Sequence, residues 1–201
     1  MVYQGGIVAA VDSRASMGSF VGSSTTRKII PVTNRILGTM AGGAADCSFW
    51  LRRLSSEVSF IFSLRQGEGT TVQAAARMLA NVLHQGSGLD LSLGTMIMGC
   101  DNDGASIYYV DSEGSRIKGN YFSVGSGSTY AYGILDREYR YNMSTEEAVE
   151  LGRRAVRHAT FRDAMSGGFI NVVHVDGGGW RQVARDDSGL LDVHTGRPLL
   201  Q

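Results

Sequence analysis

The sequence predicts an α+β domain in which two antiparallel sheets are stacked between two outer layers of helices. Glycine is frequent, with 27 residues against only two prolines, and it lies between well-patterned segments, as in proteins with many tight turns. The elements follow one another in blocks: strands, two helices, strands, two helices, strands. Blocks of this kind are typical of helices segregated on the outer faces of antiparallel sheets. We therefore expect four layers, with both sheets in the middle.

Composition and charge restrict the kind of protein and the kinds of partner that fit this sequence. The chain has 201 residues, 43% hydrophobic and 19% charged, which is ordinary for a globular domain. Nineteen basic residues balance nineteen acidic ones, so the charge favours neither nucleic acid nor a membrane as a partner. The two cysteines, Cys47 and Cys100, have no C-x-x-C spacing, which is typical of a reduced intracellular chain. We expect one domain over 1–185, a polar tail over 186–201, and no metal or cofactor.

The first half of the chain alternates short apolar strands with turns and then forms two helices. We predict strands over 6–11, 29–32 and 35–40, and helices over 44–64 and 71–84. The apolar residues of the first helix have the three-and-four spacing of one buried face: Cys47, Leu51, Leu54, Val58, Ile61 and Phe62. Thr70-x-x-Gln73 has the pattern of a capping box at the start of the second helix.

The second half repeats this order. Strands are predicted over 91–100, 106–110, 115–118 and 121–124, helices over 126–136 and 145–161, and closing strands over 169–175 and 180–183. Ser144-x-x-Glu147 has the capping-box pattern. The last helix has a buried face of Ala148, Leu151, Gly152, Ala155 and Ala159, with Arg153, Arg154 and Arg157 predicted to point outward.

Two glycine-rich corners join a strand to a helix, one at Gly42-Gly43 and one at Gly125-Ser126-Gly127. A helix start leaves backbone N–H groups without intrahelical partners, and glycine lets a ligand approach them closely. The first corner is therefore either an anion site of the oxyanion-hole type or a tight turn that needs small residues for packing. The second corner lacks the third glycine of a dinucleotide motif, so a nucleotide site is weakly supported.

Taken together, the motifs resemble those of β-type subunits of the core proteasome, a threonine peptidase family, and most closely those of its chymotrypsin-like (beta type five) group. The resemblance covers residues 3 to about 185. The motifs that carry it are Val11-Asp12-Ser13-Arg14-Ala15, Lys28 after a hydroxyl-rich segment, Gly38-Thr39-Met40-Ala41-Gly42-Gly43-Ala44-Ala45-Asp46-Cys47-Ser48-Phe49-Trp50, Leu93-Gly94-Thr95-Met96-Ile97, Tyr108-Tyr109-Val110-Asp111-Ser112-Glu113-Gly114, Phe122-Ser123-Val124-Gly125-Ser126-Gly127-Ser128, and Arg162-Asp163-Ala164-Met165-Ser166-Gly167-Gly168.

The resemblance implies the four-layer αββα sandwich of the N-terminal-nucleophile hydrolases. It also implies a threonine-type endopeptidase that cleaves after large hydrophobic residues during ATP- and ubiquitin-dependent protein degradation. The implied partners are other α- and β-type proteasome subunits and unfolded polypeptide substrates, and the implied location is the cytoplasm and nucleus.

The resemblance also assigns roles to individual residues. Lys28, with Asp12 beside it to keep it charged, would assist the threonine nucleophile. The N-terminal amine and its water would be held by Ser126, Asp163 and Ser166, and the Gly42 N–H would be the oxyanion donor. Ala15, Met40 and Ala44 would line an apolar pocket for the substrate side chain, and Ser16 with Gly42 would pair with the substrate backbone. Met17 and Met165 depart from the family pattern.

The nucleophile itself has no counterpart in the 201 residues. Aligned on Gly6 and Asp12, the family's N-terminal threonine falls about five residues before Met1, so that the first strand is expected to be shortened. The chain by itself is therefore expected to be inactive. Two interpretations remain: a threonine endopeptidase subunit preceded by further residues, or a non-catalytic β subunit of the same particle.

Overall fold

A computed structural model describes residues 1–65, 69–86 and 91–190. The β-strands are β1 Val2–Tyr3, β2 Gly6–Val11, β3 Ala15–Met17, β4 Phe20–Ser23, β5 Ile29–Pro31, β6 Ile36–Thr39, β7 Ala41–Gly42, β8 Leu93–Asp101, β9 Gly104–Asp111, β10 Arg116–Gly119, β11 Phe169–Asp176 and β12 Gly179–Asp187. The helices are α1 Ala44–Leu64, α2 Val72–Gln85, α3 Ser128–Glu138 and α4 Thr145–Arg162, followed by a 3₁₀ turn at Ser188–Leu190.

The first sheet has the order β1-β2-β11-β12 and is antiparallel throughout. Helix α4 packs on β2 and β11, and α3 packs on α4. Small residues at the helical spacing let α4 lie close to the sheet: Ala148, Gly152, Ala155 and Ala159. The three alanines share one apolar core with Ile170 and Val172 of β11. This core supports the glycine-rich corner at 125–127, which forms one side of the candidate site.

The second sheet has the order β10-β9-β8-β6-β5, with β7 paired to β8. Helix α1 packs against β8 and β5, and α2 against β8 and β9. Their apolar faces bury Leu51, Leu54, Val58, Leu79 and Leu83, among others, with side chains of this sheet. Burying each such side chain stabilises the fold by about 1.5–3 kcal/mol.

The two sheets meet through a third apolar cluster. Ile7 and Ala9 of β2 and Val173 and Val175 of β11 pack there with Leu37, Met98, Cys100 and Ile107 of the second sheet. Strands β2 and β8 are in direct contact. The strand ends that carry the candidate site therefore lie between the two sheets.

Four local predictions were wrong. Thr71, and not Thr70, caps α2, because its side chain accepts from the Ala74 N–H. Arg157 is buried, although it was predicted to point outward. Phe62 is 48% exposed and does not join the buried face of α1. Residues 121–124 form no strand. By contrast, the Ser144–Glu147 capping box is confirmed in both of its hydrogen bonds.

The domain continues past the predicted boundary at residue 185. Strand β12 runs to Asp187, and Ser188 is buried, with its N–H donating to the Gly168 carbonyl at 2.9 Å. The remainder of the tail, 191–201, lies outside the described residues. So do 66–68 and 87–90.

Candidate active site

Lys28 and Asp12 form an ion pair at the centre of the candidate site. Asp12 directly follows β2 and Lys28 directly precedes β5, so two strand ends bring them together. The Lys28 Nζ lies 2.6 Å from the Asp12 Oδ1, and the two side chains are 20% and 13% exposed. Such partial burial strengthens the attraction beyond that of a solvated pair. The predicted partnership of Lys28 with Asp12 is present in the geometry.

The Asp163 carboxylate accepts hydrogen bonds from both serines that were predicted to act with it. Ser126 Oγ and Ser166 Oγ each donate to the Asp163 Oδ2 at 2.6 Å, and the Met165 N–H donates to the Oδ1 at 3.1 Å. Burial alone would raise the pKa of this carboxyl, but the two hydroxyls, the Met165 N–H and the charge of Lys28 lower it below its usual value. Asp163 is thereby an ionised acceptor that orients two hydroxyl groups.

The two groups are connected through the loop after α4. The second oxygen of Asp12, Oδ2, accepts the Gly167 N–H at 3.0 Å, and Gly167 follows Ser166 directly. Asp12 therefore binds Lys28 with one oxygen and the Ser166–Gly167 segment with the other. The Lys28–Asp12 ion pair and the Ser126–Asp163–Ser166 hydrogen bonds are thus connected through the Ser166–Gly167 peptide.

The first glycine corner lies on the opposite wall. Gly42 has a φ of +92°, and a Cβ at this position would lie 2.6 Å from the Ser92 carbonyl oxygen, so glycine is required here. The Gly43 N–H donates to that same oxygen at 2.6 Å and is not available as an anion donor. Helix α1 begins at Ala44 without a side-chain cap. The role of the Gly42 N–H as oxyanion donor stays a prediction.

One cavity of about 670 Å³ joins these elements. Every predicted catalytic and substrate-binding residue lines it except Asp163, which lies behind the hydroxyls of Ser126 and Ser166. Its predicted pocket residues are Ala15, Ser16, Met40 and Ala44, and from the site it continues along β2 to Met1. The two departures from the family pattern, Met17 and Met165, also line it and are 75% and 43% exposed.

Three residues of the site were given no individual role from the sequence. Ser13 is buried, donates to the Ser24 carbonyl and accepts the Phe169 N–H. Arg14 reaches across to the Ala164 carbonyl. Ser48 donates to the Met40 Sδ at 3.3 Å. Ser13 and Arg14 stand beside Asp12 in the sequence, but only the fold shows that they face the 163–168 loop.

Within the described ranges, no cluster of His, Cys, Asp and Glu side chains has the composition of a metal site. No helix in the described part of the chain is long and apolar enough to cross a membrane.

Comparison with known proteins places this geometry in a family. Residues 1–175 match the model of the proteasome subunit family. The chain is 53% identical over 186 residues to proteasome subunit beta type-5 of Dictyostelium discoideum, covering 92% of this chain and 68% of that protein. The corresponding chicken protein is 53% identical over 192 residues, covering 95% and 75%.

A second subunit type is also similar. Human proteasome subunit beta type-8 is 49% identical over 185 residues, covering 92% of this chain and 67% of that protein. The family match over residues 1–175 includes all four helices and the positions of Lys28, Asp12 and Asp163. This chain belongs to the proteasome subunit family and is a relative of its beta type-5 members.

Proposed function

We propose that this chain forms most of a threonine-type endopeptidase subunit of the core proteasome, which cleaves polypeptides after large hydrophobic residues. The observation that supports it best is the meeting, in one cavity, of a lysine–aspartate pair, a carboxylate with two hydroxyls and an apolar pocket around Met40. A copy that only completed a ring would have no chemical use for the Lys28–Asp12 ion pair or for the two hydroxyls held by Asp163.

The register of the first sheet supports the position of the nucleophile. Val2 pairs with Ile7 and Tyr3 with Gly6 in an antiparallel ladder, and Met1 exchanges two backbone bonds with Val8. Continuing this register, a residue about five positions before Met1 lies opposite Ser13, beside Asp12 and Lys28. A threonine at that position, with a free α-amine, would have its hydroxyl in reach of Lys28.

The reaction then follows from the groups around that threonine. Its oxygen bonds to the substrate carbonyl carbon while its proton passes to the α-amine, and the charged Lys28 stabilises the developing alkoxide. The proton then goes to the leaving amine as the peptide bond breaks, and water hydrolyses the threonine ester. Asp163, Ser126 and Ser166 would orient the α-amine, and the Gly42 N–H would stabilise the oxyanion.

The surrounding architecture and assembly are part of the same proposal. Helices α1 and α2 lie on the outer face of one sheet, α4 lies on the other, and the sheets share a core. We infer from these contacts the four-layer αββα sandwich of N-terminal-nucleophile hydrolases. The subunit would act with other α- and β-type proteasome subunits on unfolded polypeptides, in ATP- and ubiquitin-dependent degradation in the cytoplasm and nucleus.

The test is turnover of a fluorogenic peptide with a large hydrophobic residue before the scissile bond. It uses particles assembled with this chain preceded by a threonine-led segment. Lys28→Ala should abolish turnover, whereas Lys118→Ala, at an exposed lysine on β10, should leave it unchanged. Absence of turnover and of labelling by a threonine-directed covalent probe, in particles that assemble normally, would instead identify a non-catalytic β subunit.

A further inference from the structure

The loop between Asp163 and Gly168 carries two of the site's polar groups and is attached to the end of β2 by its backbone. The carbonyl of Gly167 accepts from both the Ser13 N–H and the Arg14 N–H at 3.1 Å. The N–H of the same glycine donates to the Asp12 Oδ2 at 3.0 Å. The peptide groups around Gly167 are thus fixed to the segment that carries Asp12.

The Arg14 side chain adds a second attachment nearer the middle of the loop. Its Nη1 donates to the Ala164 carbonyl at 2.8 Å. Its guanidinium also lies against Gly167, where a Cβ would come within 2.5 Å of the Arg14 Cζ. Arg14 therefore spans the loop from Ala164 to Gly167, and Met165 and Ser166 lie between those two points.

An ion pair at the surface does not explain why an arginine occupies position 14. Among the described residues no carboxylate lies within ion-pair distance of its guanidinium. Its Nε is buried and finds no hydrogen-bond partner in the same part of the chain. The Arg14 side chain is only half-buried, and leaving its buried Nε unpaired costs free energy, so its main contribution is expected in the position of the loop that it contacts.

We propose that Arg14 is a positioning residue that holds the 163–168 loop against β2, so that Ser166 and Asp163 stay aligned with the catalytic end of the cavity. This inference rests on the proposed peptidase function. It assigns no contact with substrate to Arg14. The charged groups that face Asp163 across the site are Lys28 and, paired with it, Asp12.

The test compares Arg14→Ala, Arg14→Lys and Gly167→Ala in assembled particles containing the threonine-led chain. Gly167→Ala keeps the arginine and its charge but displaces the guanidinium. All three should lower kcat about tenfold to a hundredfold with little change in KM, because small displacements of catalytic groups have effects of that size. Arg52→Ala, on the exposed side of α1, is the control for loss of an arginine charge.

The pH profile separates positioning from general stability. The hydroxyls of Ser126 and Ser166 keep the pKa of Asp163 low, so a loosened loop raises it. The acid limb of the kcat profile should then move to higher pH in the three variants and not in Arg52→Ala. Lower thermal stability with an unchanged kcat and an unchanged acid limb would overturn the proposal. So would full rescue by Arg14→Lys, since lysine restores only the charge.

Hydrogen exchange makes the inference independent of turnover. The amides of Ser166 and Gly167, which donate to the Asp163 carbonyl and the Asp12 carboxylate, should exchange faster in Arg14→Ala than in the parent 201-residue chain. Unchanged exchange would overturn the positioning role even if the particle proves inactive. Faster exchange together with an inactive particle would retain the role of Arg14 and reject only the peptidase function.

Discussion

We predict that the Met40 side chain sets the depth of the apolar pocket. It is 8% exposed, lines the cavity and receives a hydrogen bond from Ser48 on its sulfur. Met40→Ala should change the ranking of Leu, Phe and Tyr substrates by about tenfold at most, since pocket methylenes are worth only about 1–3 kcal/mol. Ser48→Ala, which frees the thioether to change rotamer, should change the ranking less and in the same direction.

The measurement is kcat/KM for three fluorogenic peptides that differ only in the residue before the scissile bond. Met78→Ala is the control, because Met78 is a partly buried methionine that is not among the residues lining the cavity. An unaltered ranking in Met40→Ala would show that Met40 does not set the pocket.

At this scale, most of the candidate site was predictable from residue type and motif. Lys28, Asp12, Ser126, Asp163 and Ser166 were named from the sequence, and the fold brings them together. The contributions of Ser13, Arg14 and Ser48 were not predictable. Each acts through a contact made by the tertiary fold, to a carbonyl or a sulfur that no local pattern in the sequence identifies.

Among the secondary-structure elements, the short strand β7 depends most on backbone conformation. At Gly42 any other residue meets both a positive φ and the Ser92 carbonyl. Gly42→Ala should therefore destabilise the domain by about 1–3 kcal/mol. Gly133→Ala is the matched comparison, because the residue is inside α3 and, in the described part of the chain, no atom beyond its chain neighbours and its own helix backbone lies within 4 Å of the added methyl. It should stabilise by about 0.5–1 kcal/mol.

Urea unfolding of the two variants and the parent chain measures both effects. Equal stability of Gly42→Ala and the parent would show that the corner can relax, and would remove the conformational reason for glycine there.

Strand β1 makes the stability of the 201-residue polypeptide depend on pH. The free amine of Met1 donates to the Val8 carbonyl at 2.8 Å, and burial lowers its pKa from 8.0 to about 5. Between these values the unfolded chain binds the proton and the folded chain does not, so stability falls as pH drops from 8 to 5. The full effect is at most about 4 kcal/mol, at about 1.4 kcal/mol per pH unit.

Acetylation of Met1 should remove this dependence, because an amide keeps the N–H donor and cannot take up the proton. Thermal midpoints of the free and acetylated chains should agree at pH 9 and separate at pH 6, with the acetylated chain the more stable. The other titrating groups are the same in the free and the acetylated chain, so their contributions to the difference in stability cancel. Parallel pH curves would mean that water reaches the amine through the cavity.

The elements were predicted well where local pattern and tertiary packing agree, as in α4 with its capping box and small-residue face. They were predicted poorly where the tertiary fold decides. Arg157 is buried on a helix face that charge alone assigns to solvent, and Phe62 is exposed on the last turn of α1 despite helical spacing. Thr70 and Thr71 are both acceptable caps by residue type, and only the helix start selects Thr71.

For the whole molecule, the decisive feature is the cavity that runs beside β2 from Met1 to Lys28, Ser126 and Ser166. Antiparallel alternation turns the N–H and C=O of Ala10 to the same side as those of Val8, which bind Met1. One wall of the cavity is formed by Ala131, Gly152 and Ala155 of the helices, and another by Met96 and Met98 of the second sheet. A strand beside Ala10 would thus be buried on both faces.

A five-residue apolar extension led by threonine should therefore complete the first sheet. Its side chains should pack against the helices on one face and against the second sheet on the other. We expect the thermal midpoint to rise by about 4–8 °C, corresponding to a gain of about 2 kcal/mol in a domain of this size. The Ala10 amide should become protected from hydrogen exchange in the extended chain alone. An extension of equal length made of Asp and Lys is the control, because charged side chains cannot be buried between α4 and the second sheet without a large cost. Equal protection of Ala10 by both extensions, or by neither, would contradict the strand register from which the position of the nucleophile was inferred.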